Sequence, residues 1–190
     1  MALNKSIIRL SDFSVNNLSY SELKPMGNST TGSKQMYLNY NNGILCLQTP
    51  RMRLPYGLGS FSEEGQNTKY TLDMSFSGME ENNKLKEFYD VIKNIDEKLI
   101  TDAKKNTQTW LKKPKSTKEE VIRELFTTSI KMSKDKETGE INDKYPPTFK
   151  AKVPTWDEKF TCSIYDHNKN KIEEDIPSHL PKGQTVRAII

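Results

Sequence analysis

From Ser77 to Leu111 the apolar positions fall mostly three and four residues apart. Leu85, Phe88, Tyr89, Ile92, Ile95, Leu99, Ala103 and Trp110 would form one stripe on a helix. Lys84, Lys86, Asp90, Lys93, Asn94, Glu97 and Lys98 fall on the opposite side. Ser77 and Glu80 have capping-box spacing, and Pro114 ends the segment. A helix of roughly thirty residues, on the order of 45 Å long, is predicted. Its stripe is wider than a coiled-coil seam, so it is expected to cover a core.

Elsewhere the period is two, which predicts strands. Phe13 to Tyr20 alternates with a break in phase at Asn16-Asn17 and reads as a bulged or edge strand. Lys24 to Ser33 is expected to be a loop, so residues 1–32 make an N-terminal edge strand and loop. Gln35–Tyr40 and Ile44–Gln48 flank Asn41-Asn42-Gly43, a strong hairpin signal. Thr49 to Phe61 holds two prolines and two glycines and is predicted to stay outside the sheet as a loop. Glu63–Asn67 reads as a turn, and Lys69–Phe76 as a strand with one buried face. A second helix is expected from a capping box at Ser116/Glu119, giving a helical insertion over 77–128. Further strands are expected at Ser129–Ser133, Thr148–Val153, Phe160–Tyr165 and Thr185–Ile190, with turns at Pro154–Glu158 and Asp166–Lys171 and a loop at Pro177–Gly183. The chain ends in the apolar run Val186, Ala188, Ile189, Ile190. An unpaired apolar edge is an aggregation hazard, so either a continuation past Ile190 or another chain is expected to pair there.

At 190 residues, 34% apolar and 28% charged, the chain suits one domain with a small core and long polar loops. Residues 1–61 hold six Lys/Arg against two Asp/Glu, which accounts for the whole net charge of +4. One block in the balanced remainder is biased: Lys104 to Lys118 has six lysines and no acid. No apolar run is long enough for a membrane span, and the start lacks a signal-peptide block. Cys46 and Cys162 are expected to be reduced, buried small hydrophobes.

Catalytic motifs are absent. His167 and His179 sit in loop text without zinc spacing, and no phosphate-loop, dinucleotide or nucleophile-elbow motif occurs. No enzyme, cofactor or metal is expected. Aromatics interleaved with cations do recur: Tyr37 and Tyr40, then Arg51, Arg53, Tyr56 and Phe61, then Trp110 beside Lys112, Lys113 and Lys115, then Lys150 and Lys152 before Trp156. Single-stranded nucleic acid needs this mixture, because cations follow the phosphates and aromatic faces stack on bases. With Lys104 and Lys105, these residues except Trp110 form the candidate binding set.

Strand 70–76, a long helix, a lysine-rich connection, strands 149–153 and 160–165, a polar tip, "KIEEDIP" and "GQTVRAII" follow in an order that resembles the single-stranded DNA-binding protein family of bacteriophage T7 type, as found in nucleocytoplasmic large DNA viruses. The resemblance covers about Lys69 to Ile190. It implies a β-rich α+β domain over 1–190: an oligonucleotide/oligosaccharide-binding (OB-fold-like) barrel with a long inserted amphipathic helix, a short second helix and final strands beyond Ile190. It also implies a non-catalytic protein of viral DNA replication, recombination or repair. Such a protein would act inside the host cell with single-stranded DNA as its partner; replication proteins or virion proteins are further candidate partners, and a homo-oligomer without a membrane is expected. The alternative is a β-rich virion protein that uses the same surfaces for protein contacts.

Overall fold

The computed structural model describes residues 6–26, 32–64 and 67–190. Residues 27–31 of the loop expected at Lys24–Ser33, residues 65 and 66 of the turn expected at Glu63–Asn67, and the first five residues lie outside this description. The fold is mixed α/β, mostly strands, with four α-helices among the described residues, one of them long. Its described strands form open sheets and close no barrel. They fall into two compact units, Met1–Thr49 with Glu87–Thr128 and Ile189–Ile190, and Pro50–Lys86 with Ser129–Ala188.

The first unit holds β1 (Leu18–Tyr20), β2 (Lys24–Pro25), β3 (Lys34–Gln35), β4 (Leu38–Tyr40) and β5 (Gly43–Ile44), paired as a β1-β4-β5 sheet and a β2-β3 arm. The expected hairpin forms, but Gly43 already pairs with Tyr40, so the turn is Asn41-Asn42 alone. Both asparagines have positive φ, 47° and 62°, as a two-residue type I′ turn requires. The strand expected over Phe13–Tyr20 is restricted to β1. At the phase break the chain closes a 3₁₀ turn, Val15–Asn17, with the Asn17 N–H donating to Ser14 O at 3.0 Å.

The long helix, α1 (Asn83–Lys105), starts within the second unit's segment and continues into the first. The Ser77/Glu80 capping box does not form. Gly78 turns the chain at φ 77° and a 3₁₀ turn follows, so Asn82 becomes the cap. Its Oδ1 accepts the N–H groups of Lys84 at 3.1 Å and Leu85 at 3.3 Å. At 23 residues α1 spans about 35 Å. It stops short of the expected end because Asn106 leaves helical geometry at φ −108°, ψ 25°. The Thr107 hydroxyl then donates to the carbonyls of Ala103 and Lys104 at 3.2 and 2.6 Å. The chain restarts as α2 (Thr107–Leu111), followed by α3 (Glu119–Leu125). The Ser116/Glu119 box is also absent: Lys118 sits at the cap without a side-chain bond, and Glu119 is held by Arg123. Ile100, Ala103 and Ile122 are buried together, with Trp110, Leu111 and Phe126 packed on them. The terminal apolar run is paired within the chain. Ile190 and Leu47 exchange two backbone hydrogen bonds, at 2.8 and 2.9 Å, and Ile189 bridges Gln48.

The second unit is built on one sheet. Its strands are β6 (Met52–Arg53), β7 (Leu58–Phe61), β8 (Lys69–Ser75), β9 (Ile130–Lys131), β10 (Thr148–Val153) and, after four two-residue strands and a short helix, the final strand Thr185–Val186. The order runs from that final strand through β6, β8 and β10 to β9, and β7 also pairs with β8. Here the sequence expectation of a loop over Thr49–Phe61 is corrected, because β6 and β7 are both ladder strands antiparallel to β8. Arg53 faces Ser75 and Leu58 faces Leu72, so five steps on one strand match three on the other. The two extra residues form a bulge. Pro50 and Pro55 lie outside the paired positions, which is why two prolines are compatible with this sheet. The strand expected at Phe160–Tyr165 is divided by a bend at Cys162 into β12 (Lys159–Phe160), which pairs with β11 (Thr155–Trp156), and β13 (Ile164–Tyr165), which pairs with β14 (Lys171–Ile172). A one-turn helix, α4 (Ile176–His179), precedes β15, the final strand. Both cysteines are free thiols and half-buried.

Candidate nucleic-acid interface

Residues directly opposite in a ladder point to the same face, and successive residues point to opposite faces. Applied to the second unit, the registers separate the sheet into two chemically distinct sides. One side carries Met52, Val186, Leu58, Leu72, Met74, Phe149, Ala151, Ile130, Tyr70 and Val153. Met52, Met74, Ile130 and Val153 are buried, so this is the core side. The other side aligns Thr185, Arg53, Ser75, Thr148 and Lys131 in one row, Asp73 and Lys150 in the next, then Gly59, Thr71 and Lys152, and last Phe61 and Lys69. Five cations, Arg53, Lys69, Lys131, Lys150 and Lys152, thus share a face with the single carboxylate of Asp73, which Lys150 meets at 3.7 Å. All five are exposed. Arg51, two residues before Arg53, is exposed as well, while Met52 and Leu54 between and after them are buried.

Beyond β10 the same alternation continues into the β11–β12 hairpin. Thr155 pairs with Phe160, and the Phe160 ring packs on Tyr70 at 4.8 Å on the core side. Trp156 and its partner Lys159 therefore point to the cationic side. The turn between them, Asp157-Glu158, has positive φ at both residues, 48° and 60°. Trp156 is 81% exposed. Phe61, at the edge beside Lys69, is 59% exposed.

Tyr56 occupies the bulge between β6 and β7 and is 67% exposed. The bulge is clamped from behind. Leu54 N–H donates to Gln184 O at 2.8 Å, Gly183 N–H to Leu54 O at 2.7 Å and Leu58 N–H to Leu180 O at 2.9 Å. Gly57 has φ 73°, and a Cβ there would lie 2.7 Å from Leu180 O, so only glycine lets the two backbones approach this closely. Arg53 is directed over Gly183, its Nη2 3.6 Å from where a Cβ would stand.

The remaining expected residues belong to the first unit, and two of them are withdrawn. Tyr40 is not an exposed stacking ring. It is 7% exposed and stacks on Phe13 at 5.4 Å, and its hydroxyl accepts from Ser14 N–H and donates to Asp12 O. Lys104 is occupied internally, with Nζ donating to the carbonyls of Lys115 and Thr117. Lys105 pairs with Asp102 at 3.3 Å while staying exposed. Tyr37 is 63% exposed, and Lys112, Lys113 and Lys115 are exposed.

Lys69, Lys131 and Lys159 were not among the expected residues. The alternation of Lys69–Phe76 and the basic polar side of Thr148–Val153 were readable, but only the register aligns Arg53 and Lys131 with them. Among the described residues, no group of acidic, histidine or cysteine side chains is arranged to hold a metal ion, and no helix is long and apolar enough to cross a membrane. In comparisons with known proteins, no family model, curated protein or solved structure matches the chain.

Proposed function

We propose that the chain is a non-catalytic single-stranded DNA-binding protein. Its second-unit sheet would serve as the strand face of an OB-like module in viral DNA replication, recombination or repair. The carrying observation is the division of that sheet into a buried apolar side and a cationic side with exposed aromatics at its margins. Rows on a strand repeat every 6–7 Å or so, so Lys150, Lys152 and Trp156 offer successive contacts to an extended strand. Arg53 can hold a phosphate bidentately, and Trp156, Phe61 and Tyr56 offer faces to unpaired bases. The order of strand, long helix, lysine-rich connection and hairpins supports the same reading.

Titration of intrinsic tryptophan fluorescence with oligo-dT at two salt concentrations tests it. Three phosphate contacts, from Arg53, Lys131 and Lys152, give the sheet a slope of log affinity against log salt of about −2. A signal that does not change with oligo-dT, or an affinity indifferent to salt, would rule the reading out.

A further inference from the structure

The first unit has a charged surface that the sheet does not account for. Between α2 and α3 the chain runs through Lys112, Lys113, Pro114, Lys115, Ser116, Thr117 and Lys118, and its four lysines are exposed. The loop is pinned at several points. Lys104 Nζ reaches up to the carbonyls of Lys115 and Thr117, and Lys113 N–H donates to Thr107 O at 3.3 Å. Thr117 returns both its N–H and its hydroxyl to Pro114 O, at 3.0 and 2.7 Å. Lys112 is held in the left-handed region at φ 52°. Its ammonium lies beside Gly32, 3.8 Å from where a Cβ would stand, and Lys34 of the β2–β3 arm follows two residues later. The nearest acids along the chain are engaged elsewhere: Asp102 by Lys98, Lys105 and Tyr20, and Glu119 by Arg123. Exposed lysines that merely keep a protein soluble usually alternate with carboxylates on mobile backbone. Here a fixed loop gathers one sign.

We propose that this loop is a second nucleic-acid contact, separate from the sheet, that binds the phosphodiester backbone without reading or stacking on bases. This rests on the reading of the protein as a nucleic-acid binder. The loop's neighbouring aromatic, Trp110, is unavailable for stacking: it is half-buried, with its ring edge-on to Tyr20 at 4.8 Å. A lysine ammonium is a point charge that suits phosphate and carries no base-edge geometry. The loop would therefore accept duplex as readily as single strand, whereas the sheet margin needs unpaired bases.

Fluorescence anisotropy with a labelled blunt-ended duplex tests this on the full chain. The parent is expected to bind the duplex. A Lys112→Ala/Lys113→Ala/Lys115→Ala variant is expected to flatten its salt slope by about 2–3 units. A triple Lys→Arg variant is expected to restore the slope, which controls for folding. A Tyr37→Ala/Trp156→Ala variant is expected to keep duplex binding. The inference fails if the parent ignores duplex, if the triple Ala variant keeps the parental slope, or if the aromatic variant loses duplex. The single-strand reading stands or falls separately, on oligo-dT binding by the sheet variants.

Discussion

Phe160 rests its ring on that of Tyr70, 4.8 Å away and tilted by 57°, and this contact fixes the side on which Trp156 emerges. With Phe160 and its partner Thr155 facing the core, the next pair of the hairpin has nowhere to point but outward. Trp156→Ala is therefore expected to weaken oligo-dT binding by about 1–3 kcal/mol with little change in melting temperature. Phe160→Ala is expected to lower the melting temperature instead. A Trp156→Ala protein that binds like the parent would remove the hairpin from the interface.

The cationic side makes a second prediction. Lys131→Ala with Lys152→Ala removes two cations from the face and leaves the core side untouched. The single-strand salt slope is expected to flatten by about 1.4 units. Lys150→Ala is expected to do less, because Lys150 is already engaged by Asp73. Measured slopes in the reverse order would mean that the face is not the phosphate track.

The bulge separates contact from support within two adjacent residues. Tyr56→Ala is expected to reduce oligo-dT affinity by about 1–3 kcal/mol and to melt like the parent. Gly57→Ala is expected to cost about 1–3 kcal/mol of stability, because its φ is positive and its Cβ would press on the Leu180 carbonyl. Thermal melts and titrations of the two variants check both.

A pH-dependent prediction comes from Asp102. Burial pushes its carboxyl upward, but hydrogen bonds from Lys98, Tyr20 and Lys105 outweigh that and leave it below the usual carboxylate range. A group with a depressed folded value stabilises the fold above its unfolded pKa of about 4 and loses that contribution as the pH falls through the folded value. Tyr20 shifts in the other direction: burial, then its hydrogen bond to Asp102 and the carboxylate charge, raise its hydroxyl. That contribution is complete below about pH 10 and is lost as the pH rises through the folded value. Tyr20→Phe is expected to cost about 1 kcal/mol at neutral pH and to remove its share of the alkaline loss. Melting temperature followed across pH reads both limbs.

Much of the scaffold could be read from periodicity. The stripe from Leu85 to Ala103 produced the long helix, Asn41-Asn42 the hairpin, and Thr148–Val153 a strand with one basic side. The errors fall where a local signal competes with pairing. The prolines and glycines of Thr49–Phe61 argued against any ladder, yet the ladder forms around Pro50, Pro55 and Gly57, which occupy unpaired positions, and takes in Gly59 opposite Thr71. Ser77 and Ser116 had the spacing of caps, but backbone geometry at Gly78 and Lys118 set the helix starts. The site was legible as a mixture of residue types and not as a place. Nothing in the sequence says that Arg53 faces Ser75, so the row through Lys131 could not be anticipated, and nothing in the alternation of Gln35–Tyr40 says that Phe13 stacks on Tyr40 and buries it.

The two-residue excess between Arg53 and Leu58 also bears on how such a protein can diverge. Pro55 and Tyr56 have no partners in the ladder, while the residues on either side are held by backbone bonds to Leu180, Gly183 and Gln184. A lineage can exchange the side chain at position 56, or lengthen the excursion, without renegotiating any strand pair. Change there would alter what the molecule touches while its framework is inherited intact.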